Sequence, residues 1–70
     1  MVVVKEYSVD NQYVRSVNGM DKHALVTYEQ LRKCAVERIN ADTYHNTDRI
    51  ITINESFSSN GITLIVYYAK

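Results

Sequence analysis

Proline and tryptophan are absent from these 70 residues, glycine occurs twice and cysteine once. With so few chain breakers, long disordered linkers are not expected, and no internal repeat or low-complexity tract is visible. The single Cys34 cannot form a disulfide framework within the chain, so a reducing, cytoplasmic setting is expected. The N-terminus does not join a basic region to an apolar run and a small-residue cleavage site, which agrees with that expectation. The longest apolar run, residues 62–69, contains Thr63 and falls far short of the roughly 20 residues that span a bilayer. A soluble protein without a membrane partner is expected.

Neither sign of charge predominates. Eight basic residues balance eight acidic ones, so no global field draws the chain to a polyanion. An acidic nucleic-acid mimic would need a large negative balance, and that is missing too.

The length allows one domain, residues 1–70, and no second. A chain this short buries only about 60% of its unfolded surface, and its core supplies ~3–5 kcal/mol of net stability. Small folds commonly add a disulfide, a metal or a partner subunit, and the lone cysteine removes the first.

Local signals define most of the elements. "MVVVKEYSV" is rich in β-branched residues, "DNQ" is turn chemistry, "YVRSV" resumes a strand-like pattern and "NG" stops it. An N-terminal hairpin of residues 2–9 with residues 12–17 is expected. Residues 20–26 read either as a short strand or as an irregular approach to a helix. That helix, Tyr28–Ala41, is the clearest element. Thr27 with Gln30 forms a capping-box pattern, and Val26 is placed to staple against Leu31. Leu31, Cys34, Ala35 and Ile39 make an apolar stripe, while Glu29, Lys33 and Glu37 stack on the opposite side. The polar segment 40–48 should end the helix near Ala41 and form a loop.

"RIITINESFSSNGITLIVYY" predicts a terminal hairpin. Asn60-Gly61 suits a type I′ turn, which would set Phe57 opposite Leu64, Glu55 opposite Val66 and Ile53 opposite Tyr68. Ile51, Ile53, Phe57, Ile62, Leu64, Val66 and Tyr68 then share a face for the helix to cover, with Glu55 among them. Three placements of Glu55 are open: a bulge at Glu55-Ser56 turning the carboxylate outward, a position at the sheet edge or end, or a buried acid or base. The first two outweigh the third, because a buried unpaired carboxylate is costly. The fold expected is α+β, a mainly antiparallel sheet of four or five strands with one helix on one face.

Motifs for chemistry are sparse. Asp42, His45 and Asp48 could offer ligands to a divalent ion, but their spacing matches no closed metal motif and suits a post-helical turn. Cys34 with His23 or His45 could pair as nucleophile and base, yet Cys34 lies on the apolar stripe where an inert thiol is the rule. Gly19 and Gly61 fall in Asn-Gly turns, so no phosphate-cradling loop exists. Asn54-Glu55-Ser56 fits a glycosylation acceptor without a secretory context. No catalytic residue, metal or cofactor is assigned, and a small enzyme relying on Glu55 or Cys34 is the last of the alternatives.

Six tyrosines against one phenylalanine favour rings with a polar tip, the type enriched at interfaces. Ile65 and Tyr67 fall on the sheet face away from the helix, beside Thr52, Asn54 and Thr63. These five residues are the candidate partner-binding set, for a protein partner and for a homodimer. A nucleic-acid module using exposed tyrosines with Arg15, Arg32, Lys33, Arg38 and Arg49 is the alternative. Those cations alternate with acids and form no stripe.

The Val-rich strand ending in Lys5, the single helix and the "IITI" to "IVYY" hairpin resemble very short strand-helix-hairpin proteins of Bacillus-type bacteria and their phages, including sporulation-associated ones. The segment 11–26 departs from that minimal plan. The resemblance implies no catalytic residue and favours a small regulatory or inhibitory binder, phage-encoded and host-directed in the phage case, over an enzyme.

Overall fold

The computed structural model describes residues 1–42 and 49–69. Five elements follow in order: β1 (Val2–Asp10), α1 (Asn11–Val17), α2 (Tyr28–Ala41), β2 (Arg49–Ser58) and β3 (Gly61–Ala69). The α+β class with an antiparallel sheet agrees with the sequence reading, but the described residues hold three strands and two helices where four or five strands and one helix were expected.

The difference lies in residues 11–17, which are helical. Asp10 is an N-cap in extended conformation, and its Oδ1 accepts from the Tyr13 amide at 2.7 Å. At the other end the Met20 amide donates to the Arg15 carbonyl at 2.8 Å and the Gly19 amide to the Ser16 carbonyl at 3.4 Å. With Gly19 at φ +63° this is a Schellman stop. The "DNQ" and "NG" signals are therefore helix caps instead of hairpin turns, and Val14 between them is fully buried. Residues 20–26 contain no regular element; their Ala24 carbonyl accepts from Arg15 Nε at 2.8 Å, which holds the connection to α1.

Strand β1 instead pairs antiparallel with β3, giving the order β1-β3-β2. Tyr7 lies opposite Leu64 and Val9 opposite Ile62. The β2–β3 hairpin is shifted by one pair from the expected register: Phe57 opposes Ile62, Glu55 opposes Leu64 and Ile53 opposes Val66. Ser58 and Gly61 now flank a turn made by Ser59 and Asn60, and neither Asn60 nor Gly61 has positive φ, so the turn is not type I′. Ser58 Oγ accepts from the Asn60 amide and donates to the Gly61 carbonyl, each at 3.3 Å. Gly61 is required for another reason: a Cβ there would stand 2.5 Å from the Val9 carbonyl oxygen and 2.9 Å from Asp10 Cα. Because the shift is by a whole pair, residues 52–57 keep their expected faces, but the bulge at Ile51 breaks the alternation and Ile50, not Ile51, stands opposite the buried Tyr68.

Helix α2 matches its expected bounds and its capping box is formed, Thr27 Oγ1 accepting from the Gln30 amide at 3.2 Å and Gln30 Oε1 from the Thr27 amide at 2.9 Å. Its buried residues Leu31, Cys34, Ala35 and Ile39 pack with Tyr7, Val9 and Val14 and with Ile62, Leu64, Val66 and Tyr68. No residue of β2 belongs to this core. The reason is width. A helix is about 10–12 Å across and strands are spaced about 4.8 Å, so one helix roofs about two strands. α2 lies over β1 and β3, α1 packs beside it at the β1 side, and β2 is left outside the roof.

Candidate interaction surfaces

The alternation of β3 separates two surfaces. Ile62, Leu64, Val66 and Tyr68 are buried beneath the helices, and Thr63, Ile65 and Tyr67 point to the other side, where no described element covers them. The registers place Val4, Tyr67 and Thr52 in one row across this open face, Glu6, Ile65 and Asn54 in the next, and Ser8, Thr63 and Ser56 beyond. All five residues of the candidate partner-binding set, Ile65, Tyr67, Asn54, Thr52 and Thr63, are thus brought together on one face. Val2 and Val4, 59% and 51% exposed, extend the patch at its apolar end. They were not in the candidate set because the β1–β3 pairing joins chain ends about sixty residues apart. At the polar end Ser8 Oγ and Thr63 Oγ1 share a hydrogen bond of 2.9 Å.

A second surface lies on the helix side. Ile50, Ile53, Glu55 and Phe57 pair with the buried row of β3, yet all are exposed. The bulge in β2 is at Ile51, between Ile50 and Thr52, and not at Glu55-Ser56. Of the three placements of Glu55, the sheet-edge one is observed. Its carboxylate accepts from the Tyr28 hydroxyl at 2.5 Å through Oε2 and lies 3.8 Å from Arg32 Nε through Oε1. The Tyr28 ring meets Phe57 edge to face, with centroids 5.1 Å apart. The bond to Glu55, with smaller help from desolvation and the carboxylate charge, pushes the Tyr28 phenol above its ordinary pKa. Tyr28 and Arg32, one helical turn apart, are the link between α2 and β2.

Near the end of α2, Lys5 Nζ and the Tyr7 hydroxyl both donate to Asp42 Oδ2. A carboxylate at a helix C-terminus opposes the helix dipole, and the two donors offset that cost while tying the helix end to β1.

The remaining candidates separate. Cys34 is buried in the core, and loss of hydration there raises its thiol pKa, which keeps it protonated. His23 is exposed in the connection before α2. Of the Asp42, His45 and Asp48 run, His45 and Asp48 lie outside the described residues, as does Tyr44; among the described residues no group of three His, Cys, Asp or Glu could hold a metal. An open cleft of ≈ 590 Å³ between α1 and the β2–β3 turn is lined by Asp10, Arg15, Ser16, Lys22 and Asn60, with no histidine beside the serine. Of the cations in the nucleic-acid alternative, Arg15 is bonded to Ala24, Arg32 faces Glu55, and Arg38 Nη1 donates to the Ser8 carbonyl at 3.1 Å while lying over Tyr13. No helix among the described residues is long and apolar enough to cross a membrane. No protein-family model matches the chain, and neither the curated proteins nor the solved structures provide a match.

Proposed function

We propose that this chain is a small non-enzymatic, cytoplasmic interaction protein that binds and modulates or inhibits a larger protein partner and self-associates through its sheet. The observation that carries this reading is the uncovered face of the sheet, where Val2, Val4, Ile65 and Tyr67 form an apolar patch bounded by Glu6, Asn54, Thr52 and Thr63. With no described element over this side of the three-stranded sheet, Val2 and Val4 stand exposed and Ile65 and Tyr67 half-buried, a contiguous apolar surface of the kind that marks a protein contact. The absence of a favourable net charge and the internal use of Arg15, Arg32 and Arg38 favour a protein partner over nucleic acid.

The test is affinity capture of the tagged chain from a native lysate after nuclease treatment, with Ile65→Asp/Tyr67→Asp run alongside. A stoichiometric protein that binds the native chain and is lost from the double variant supports the reading. Equal capture by both would remove the open face as the binding surface, and loss of all capture on nuclease treatment would turn the assignment toward nucleic acid.

A further inference from the structure

The shelf formed by β2 outside the helical roof has properties that point to one occupant. Phe57 and Ile53 stand 53% and 42% exposed on the side that elsewhere forms the core, Ile50 continues the row opposite Tyr68, and Tyr28 borders it from the helix. The chain exposes 4957 Å² at a mass of 8.1 kDa. A folded monomer of that mass exposes roughly 4,500 Å², so the surplus is roughly half of the ~800 Å² that each partner buries in a stable dimer.

The edges of the sheet are not equivalent. On β1, α1 packs beside the strand and Arg38 Nη1 takes the Ser8 carbonyl. Among the described residues no side chain bonds to the main chain of residues 49–57, so β2 offers its outer edge as an open ladder. The charges of β2 are Arg49 near its start and Glu55 toward its end. They stand on opposite faces, Arg49 across from Ala69 and Glu55 across from Leu64, so the strand direction follows from symmetry alone: a two-fold axis normal to the sheet runs the two β2 strands antiparallel and keeps both helix sides together.

We propose that β2 is the homodimer edge: two copies pair β2 with β2 in antiparallel fashion about a two-fold axis normal to the sheet. The result is a six-stranded sheet with both α2 helices on the same side. The two shelves then form one floor between the helices, where Phe57 and Ile53 of each copy lose their exposure. Backbone pairing satisfies the edge, the apolar row supplies the burial, and the guarded β1 edge ends assembly at two copies. This deepens the reading of self-association through the sheet and leaves the open face available to another protein.

The test is sedimentation velocity from micromolar to submillimolar chain concentration on the native protein, Phe57→Asp, Ile53→Lys and Ile65→Asp/Tyr67→Asp. Protection of the Cys34 thiol from a disulfide reagent serves as the check that each variant is folded. Amide hydrogen exchange on the native chain is followed in parallel at the two concentration extremes. The expected result is a species of twice the chain mass that is weakened at least about tenfold by Phe57→Asp and Ile53→Lys, the effect of losing a buried anchor, and kept by the open-face double variant. Amides of residues 52–57 gain protection with concentration even if a variant fails to fold. A dimer lost only in the open-face variant, with no concentration-dependent protection in β2, would overturn the edge assignment while preserving self-association through the sheet. A native chain that stays monomeric throughout would overturn both.

Discussion

The Tyr28 hydroxyl donates to Glu55 Oε2 at 2.5 Å, joining the first turn of α2 to a strand that contributes nothing to the core. The contact explains an acidic residue on an otherwise apolar face. At the rim of the helical roof, a carboxylate keeps its hydration and also holds the helix against the outer strand.

This pairing predicts the titration of Tyr28. A carboxylate that accepts from the phenol favours its neutral form, so the folded-state pKa is raised above the ordinary 10.0. The stabilisation is fully present below the unfolded value and is lost as pH rises through the folded one. Site-resolved NMR titration of the tyrosine rings should find Tyr28 ionising later than a free tyrosine, and Glu55→Gln should bring it back toward the ordinary value. An unchanged Tyr28 titration in Glu55→Gln would show that the contact does not persist in solution.

Core and shelf should respond differently to truncation. Leu31 is 2% exposed and central to the packing, so Leu31→Ala should cost ~2–5 kcal/mol, comparable with the whole stability of a domain this small. Urea denaturation at a concentration where the chain is monomeric should find Leu31→Ala largely unfolded and Phe57→Ala much less affected. Equal losses would mean that β2 is packed in the monomer.

The two glycines should also separate. Gly61→Ala drives a Cβ into the β1 backbone and should cost ~1–3 kcal/mol or more by parting β1 from β3. Gly19→Ala meets no atom within 4 Å and carries only the left-handed backbone penalty of ~1–2 kcal/mol, which Asn in its place should relieve in part. Thermal unfolding of the three variants orders them, and a Gly61→Ala chain as stable as the native one would refute the close β1–β3 approach.

Cys34 should act as a sensor of unfolding. Burial keeps the thiol protonated and out of reach, so reaction with a disulfide reagent at neutral pH should run at the rate of opening and become fast only in denaturant. Rapid stoichiometric labelling of the folded chain would contradict the placement of α2 on the sheet.

Much of this molecule was legible along the chain because it is decided locally. The capping box at Thr27 and Gln30, the apolar stripe of α2 and the alternation of β3 involve neighbours within one or two turns or pairs, and all are observed. The sharing of faces in β3 and in residues 52–57 was legible too, since a register shift by a whole pair leaves side-chain direction unchanged, whereas the bulge that replaces Ile51 by Ile50 opposite Tyr68 was not.

Long-range decisions were not legible. Local pattern in "YVRSV" is compatible with strand or helix, and the outcome depends on Asp10 and Gly19 acting as caps and on Val14 entering a core formed by residues distant in sequence. Likewise Ile53 and Phe57 carry a core pattern but remain exposed, because the width of one helix against three strands is a property of the assembled layers. The sequence by itself determined which side chains of α2, β3 and residues 52–57 share a face; only the tertiary structure decided which of those faces is covered, since covering is a matter of area and distance between elements that no local pattern encodes.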